Sequence, residues 1–85
     1  MSRATEVYAR EFDAAFLKFP PHVRAAIESK IHQLGSRLAD YRHQRLTGRS
    51  EYRLRVGDYR VIYEIDREKN ILYLIAVGNR REIYR

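Results

Sequence analysis

Between residues 52 and 65 apolar and charged side chains alternate. Tyr52, Leu54 and Val56 are interleaved with Arg53 and Arg55. After Gly57 and Asp58 the pattern resumes, with Tyr59, Val61, Tyr63 and Ile65 interleaved with Arg60, Ile62 and Glu64. A period of two places successive side chains on opposite faces of a strand. The pattern therefore predicts two strands joined by a tight turn, one face apolar and aromatic, the other carrying Arg53, Arg55 and Arg60. Residues 71–77, Ile-Leu-Tyr-Leu-Ile-Ala-Val, are apolar at every position, which predicts a central or helix-covered strand. Gly78 ends it, and residues 79–85 form a short basic tail.

Upstream the periodicity changes. Residues 4–9 fit a short strand with Thr5, Val7 and Ala9 on one side, although Tyr8, Phe12, Ala15, Phe16 and Phe19 also fall at helical spacing. We read a strand to about Tyr8 and a helix over about residues 10–19. Pro20 stops that helix, because the residue before a proline is pushed out of helical geometry. Pro21 then suits the first turn of a second helix, whose apolar stripe is Val23, Ile27, Ile31, Leu34 and Leu38. Gly35 is expected near its end. Residues 40–50 are polar, basic and without period, a surface loop near the arginine face, and residues 66–70 form a charged turn. The expected fold is α+β, a small antiparallel sheet with two N-terminal helices packed on one face, in the order β-α-α-β-β-β. Tyr52, Leu54, Val56, Val61, Tyr63 and Ile65 should face the helices; Arg53, Arg55 and Arg60 should face the open side.

The chain of 85 residues is the size of one domain, without an internal boundary or repeat. It has no cysteine, which excludes disulfide and thiolate-metal frameworks. No apolar run approaches the roughly 20 residues of a membrane helix, and the first residues carry no apolar signal region. The expectation is a cytoplasmic protein that does not engage membranes. The formal charge is +6, and its placement says more than its size. Residues 37–60 hold seven arginines against three acids. Guanidinium keeps its charge at physiological pH and presents a planar fork suited to phosphate oxygens. Like charges facing one another across strands are destabilising, so a polyanionic partner is expected to compensate them.

Other chemistry is sparse. His22, His32 and His43 lack the spacing and partners of a metal site, and only His43, in the basic loop, is placed to approach a substrate. There is no glycine-rich phosphate loop, Ser/His/Asp set or paired-carboxylate signal. Gly78-Asn79-Arg80-Arg81 follows directly on the apolar strand, so its basic residues emerge at the sheet edge, and Arg80 would lie beside Arg53, Arg55 and Arg60 if that strand pairs there. Tyr84, and less strongly Tyr41 and Tyr59, could stack on bases as aromatic side chains do in single-stranded RNA recognition.

Taken together, Leu46-Thr47-Gly48, Tyr52-Arg53-Leu54-Arg55, Gly57-Asp58-Tyr59-Arg60-Val61-Ile62-Tyr63 and Val77-Gly78-Asn79-Arg80 followed by Tyr84 resemble the RelE/ParE superfamily of toxins of type II toxin–antitoxin systems, and within it the RelE-type messenger RNA endonucleases. The Phe12 to Phe19-Pro20 helix ending and the Ile27, Ile31, Leu34 helix extend the likeness over nearly the whole chain. The resemblance implies a ribosome-dependent, metal-independent nuclease without cofactor. It would cut messenger RNA in the decoding site by attack of a 2′-OH on the adjacent phosphodiester. It also implies roles. Arg53 and Arg55 fall where relatives place basic residues, often lysine, beside the scissile phosphate. Arg60 matches an arginine thought to stabilise the transition state, Arg80 a basic residue proposed to assist the leaving 5′-oxygen, and Tyr84 an aromatic that stacks on a base. His43, Arg45, Arg49 and Arg81 are candidate RNA contacts around this set. The implied partners are a RelB-like or Phd-like antitoxin, messenger RNA in the decoding site and ribosomal RNA.

Two departures matter. A guanidinium is a poor general base, so with arginine at both 53 and 55 the proton acceptor is unassigned, and catalysis would rest on charge neutralisation and in-line positioning. The spacing from Arg80 to Tyr84 is also shorter than in some relatives. The competing readings are a ParE-like inhibitor of DNA gyrase and a non-catalytic module that binds RNA or ribosomes.

Overall fold

In the computed structural model, which describes residues 3–83, two helices lie on one face of a five-stranded mixed sheet. The strands are β1 (Thr5–Tyr8), β2 (Gln44–Arg45), β3 (Tyr52–Val56), β4 (Tyr59–Asp66) and β5 (Ile71–Asn79), in the spatial order β1-β5-β4-β3-β2. The expected α+β class and the one-sided placement of the helices hold. The sheet is not purely antiparallel, because β1 runs parallel to β5, pairing Thr5 with Ile71 and Tyr8 with Leu74. Alternation tells which face a side chain takes; it does not tell which distant strand becomes the neighbour or in which direction it runs.

The β3–β4 hairpin closes through Gly57 and Asp58. Gly57 stands at φ 57°, a left-handed position that tight hairpin turns require and glycine occupies without steric cost. β4 turns into β5 through residues 67–70, where Asn70 takes φ 55° and the Asp66 carboxylate accepts from the Lys69 N–H at 3.0 Å. Asparagine tolerates that region better than most residues.

Helix α1 (Arg10–Phe16) is one turn shorter than its spacing predicts. The N–H groups of Lys18 and Phe19 bond three residues back, to Ala15 and Phe16, so the segment before Pro20 tightens instead of continuing as α-helix. Helix α2 (Pro21–Ser36) starts with proline in its first turn, as expected, and ends one residue after Gly35. Gly35 is buried because β1 approaches it: the Ala4 N–H donates to the Gly35 carbonyl at 3.0 Å. The loop expected over residues 40–50 contains the short strand β2, which pairs with Tyr52 and Arg53. Two residues are too few to show a period.

Phe12, Ile27, Ile31, Leu34 and Leu38 from the helical side meet Leu54, Val56, Val61, Tyr63, Leu72, Leu74 and Val77 from the sheet. Along β5 the buried positions run 72, 74, 77, because the β4–β5 register shifts between Ile62 and Tyr63. Such a bulge inserts one residue and re-aims those beyond it. Of the hairpin residues expected to face the helices, Leu54, Val56, Val61 and Tyr63 are buried there, and Tyr52 and Ile65 pack against the cluster's margin.

Leu74 is fully buried and Leu17 is 68% exposed. Leu74→Ala should lower unfolding free energy by about 2–5 kcal/mol, and Leu17→Ala by less than about 0.5 kcal/mol. Urea unfolding of both variants checks this.

Candidate functional site

The face of the sheet opposite the helices is where the hairpin's arginines converge. Arg53 pairs across β3–β4 with Ile62, and Arg55 pairs with Arg60; across β4–β5, Arg60 pairs with Gly78. Directly opposite residues share a face, so Arg53, Arg55 and Arg60 project together. The chain after β5 folds back to the same end: the Arg80 N–H donates to the Asp58 carbonyl at 2.8 Å, and the Glu82 and Ile83 N–H groups bond back to Asn79. Ile83 lies over Gly78, where an added Cβ would sit 3.4 Å from its Cδ1.

This end of the face is not simply open, as alternation predicted for all three arginines. Arg55 is exposed and Arg53 half-buried, but Arg60 is only 7% exposed. Its Nη1 donates to the carbonyls of Gly57, at 2.8 Å, and Tyr59, at 2.7 Å. Ile62 beside it is buried as well. The hairpin turn turns its carbonyls toward the guanidinium, which fixes one nitrogen of the fork and leaves Nε and Nη2 without a described partner.

No carboxylate neutralises the set among the described residues. The ion pairs found there are His32 with Glu6 and Arg49 with Glu51. Arg53 Nε donates to Gln44 Oε1, at the long distance of 3.4 Å. Gln44 escaped the sequence reading because only the β2–β3 register places it opposite Arg53. No group of three or more His, Asp or Glu side chains able to hold a metal ion is present among the described residues.

The remaining candidates lie elsewhere. His43 is held inside an aromatic cluster with Tyr41, Tyr52 and Tyr63. Its Nε2 lies 2.8 Å from the Leu38 carbonyl and its Nδ1 2.7 Å from the Tyr63 hydroxyl. A carbonyl only accepts, so Nε2 donates to it, and in the neutral ring Nδ1 accepts from Tyr63. Burial pushes the Tyr63 phenol well above its ordinary range, with Tyr41 and Tyr52 adding to the shift. Arg45 shares the Tyr52 side of the sheet, not the Arg53 side. Its Nη2 donates to the Tyr52 hydroxyl at 2.9 Å and its guanidinium carbon lies 5.2 Å from that ring's centroid; this bond, with smaller help from Arg67, lowers the Tyr52 pKa. Arg49 is engaged by both oxygens of Glu51, at 3.0 and 3.2 Å, and that contact holds the Glu51 carboxyl below its usual range. Arg81 is exposed in the turn after β5, its N–H bonded to Asn79 Oδ1. Tyr84 lies outside the described residues.

Comparison with known proteins follows the same lines. The family model of the ParE toxin of type II toxin–antitoxin systems, parDE, matches residues 3–84. No curated protein matches. Among solved structures, a chain of the toxin–antitoxin complex RelBE2 from Mycobacterium tuberculosis is similar with a TM-score of 0.77 and 24% identity, over 96% of this chain and 97% of that one. The isolated E. coli RelE toxin gives a TM-score of 0.77 at 19% identity, over 95% and 90%. The archaeal RelE–RelB complex from Pyrococcus horikoshii OT3 gives 0.77 at 18%, over 95% and 99%. At these identities the likeness is one of fold.

Arg60→Met should cost about 1–3 kcal/mol of stability, because two turn carbonyls lose their donor. Arg53→Ala and Arg55→Ala should stay within about 0.5 kcal/mol of the parent, since each removes a like charge from a crowded face; urea unfolding separates the two outcomes. The raised Tyr63 pKa sets the sign of an alkaline effect. The unfolded chain releases the phenolic proton near pH 10 and the folded chain only at higher pH. The contribution of Tyr63 is thus intact below pH 10 and declines as pH rises beyond it, and Tyr63→Phe should flatten that decline in thermal melts taken above pH 10.

Proposed function

The chain belongs to the ParE toxin family of type II toxin–antitoxin systems, within the RelE/ParE superfamily, and on that premise we propose that it is an endoribonuclease acting on messenger RNA in the ribosomal decoding site. The observation that carries this reading is the grouping of Arg53, Arg55 and Arg60 on one sheet face, with the Arg80 backbone bonded to the hairpin turn beside them and no ion pair described for any of the four. Inhibition of DNA gyrase, the alternative within the superfamily, does not call for phosphate-directed guanidinium groups.

In this reading the 2′-OH of one nucleotide attacks the neighbouring phosphorus. The bond from O2′ to phosphorus forms and the bond from phosphorus to O5′ breaks, leaving a 2′,3′-cyclic phosphate and a 5′-OH. The proton of the 2′-OH passes to a group outside the arginine set, since a guanidinium stays protonated. Arg53 and Arg55 neutralise the phosphate. Arg60, anchored by Nη1, offers its other N–H groups to the charge that builds on the non-bridging oxygens. Arg80 stabilises the charge on the departing O5′, which takes a proton from solvent to become the 5′-OH, and Tyr84 stacks on a base. Preorganised donors of this kind are worth about 10²–10³-fold each. The same uncompensated charge suits an acidic segment of a RelB-like or Phd-like antitoxin. RelB occupies that role of partner in the Pyrococcus horikoshii RelE–RelB complex.

The test is cleavage of a labelled message on programmed ribosomes. The protein should cut it only when ribosomes are present, leave a 2′,3′-cyclic phosphate, and be indifferent to a chelator selective for transition metals. Arg80→Ala and Arg55→Ala should each slow the reaction about 10²–10³-fold. Growth arrest without cleavage, accompanied by loss of gyrase supercoiling, would replace this reading with the gyrase one. Neither effect would leave a non-catalytic binding module.

A further inference from the structure

The arginine face does not end at the margin of the sheet. Strand β2 pairs only with Tyr52 and Arg53, so β3 is itself an edge from Leu54 onward. At that edge Arg55 lines two adjoining concavities. One, with Arg42, Gln44 and Arg53, opens on the arginine face. The other, with Lys30 and Arg37, lies toward the C-terminal end of α2. Tyr41 lines both. Among the described residues, five basic side chains, Lys30, Arg37, Arg42, Arg53 and Arg55, border the combined groove, and no acidic side chain does. The two other concavities described on this chain differ: one is lined by Asp13 and Glu28, the other by Glu82 beside Lys18.

We propose that this groove is a track for single-stranded RNA, carrying the strand from the arginine face around the β3 edge to the C-terminal end of α2, with Tyr41 as the stacking platform at the bend. The inference rests on the nuclease reading and deepens it, since the strand in the track is the continuation of the strand being cut. A groove bordered by cations with an aromatic ring between them is the arrangement that holds single strands without regard to sequence. Lys30, within α2, and Arg37, just past its end, contact the backbone phosphates beyond the scissile one. Nothing in the hydrophobic pattern marks them, because on α2 alone they read as solvated residues off the apolar stripe.

Fluorescence anisotropy with labelled single-stranded RNA tests the track, using one oligomer of about 12 nucleotides and one of about 4, both within the range of about 4–16 nucleotides that a single OB fold covers. The double variant Lys30→Ala, Arg37→Ala should weaken binding of the long oligomer about tenfold or more at moderate salt. It should also flatten the dependence of log K on log salt by about 1.4, from about 0.7 for each of two phosphates, and leave the short oligomer unaffected. Arg10→Ala, Lys18→Ala removes the same charge from α1 and its following turn and should do far less. Tyr41→Leu should lose several-fold to about a hundredfold in affinity, whereas Tyr41→Phe, which keeps the ring, should bind like the parent. Circular dichroism establishes that each variant is folded. The track is overturned if the Lys30, Arg37 variant behaves like the Arg10, Lys18 control, or if the parent fails to bind the long oligomer more tightly than the short one. Failure of the nuclease reading looks different: no cutting on ribosomes, with the track variants still weakening the long oligomer.

Discussion

The cross-strand pairing of Arg55 with Arg60 is the constraint around which this small domain is arranged. Two arginines are cross-strand partners one residue pair from the turn of its hairpin, and a like-charge pairing of that kind costs rather than stabilises. The hairpin accepts it because its other face carries Leu54, Val56, Val61 and Tyr63 into the core, and burying side chains of that size is worth about 1.5–3 kcal/mol each. Arg60 is accommodated by the turn itself: Gly57 and Tyr59 present carbonyls to Nη1. One tight turn therefore joins the strands, supplies the left-handed glycine and orients the arginine.

The features with a period were legible in the sequence. The alternation over residues 52–65 specified the hairpin and its two faces, the Ile27, Ile31, Leu34 stripe specified α2, and the Pro20-Pro21 pair placed the break between the helices. What escaped has no period to read. Strand β2 is two residues long. The parallel partnership of β1 and β5 joins segments separated by most of the chain. The bulge that moves the core from Leu74 to Val77 lies within an unbroken apolar run, where every register looks equally hydrophobic. The burial of Arg60 could not be foreseen from charge, because it depends on where two carbonyls of the turn point.

The basic residues show the same division. Their clustering in residues 37–60 was visible in the sequence, but not which would act together. Register puts Arg53 with Arg55 and Arg60, and sends Arg45 to the opposite side, where Tyr52 receives it. Arg49 is neutralised locally by Glu51. His43, whose loop position suggested a substrate contact, uses both ring nitrogens to tie Leu38 to Tyr63, joining the segment after α2 to β4. Its part in the molecule is to hold the wall behind the arginine face, and through Tyr41 that wall borders the basic groove.

Stability and charge are thus carried by opposite sides of the same strands, which has a consequence for partners. The helix face carries the core, where the buried apolar side chains of helices and sheet pack on one another. The arginine face differs, because no ion pair described on this chain reaches Arg53, Arg55 or Arg60. Any polyanion that binds the folded protein and not the unfolded one stabilises it by mass action, and whatever relief of like charge it brings to the arginine face is already part of its binding free energy. An acidic antitoxin segment and an RNA strand would exploit the same deficit. They would therefore compete for one surface, and occupation by the first would silence the second without any change in the fold.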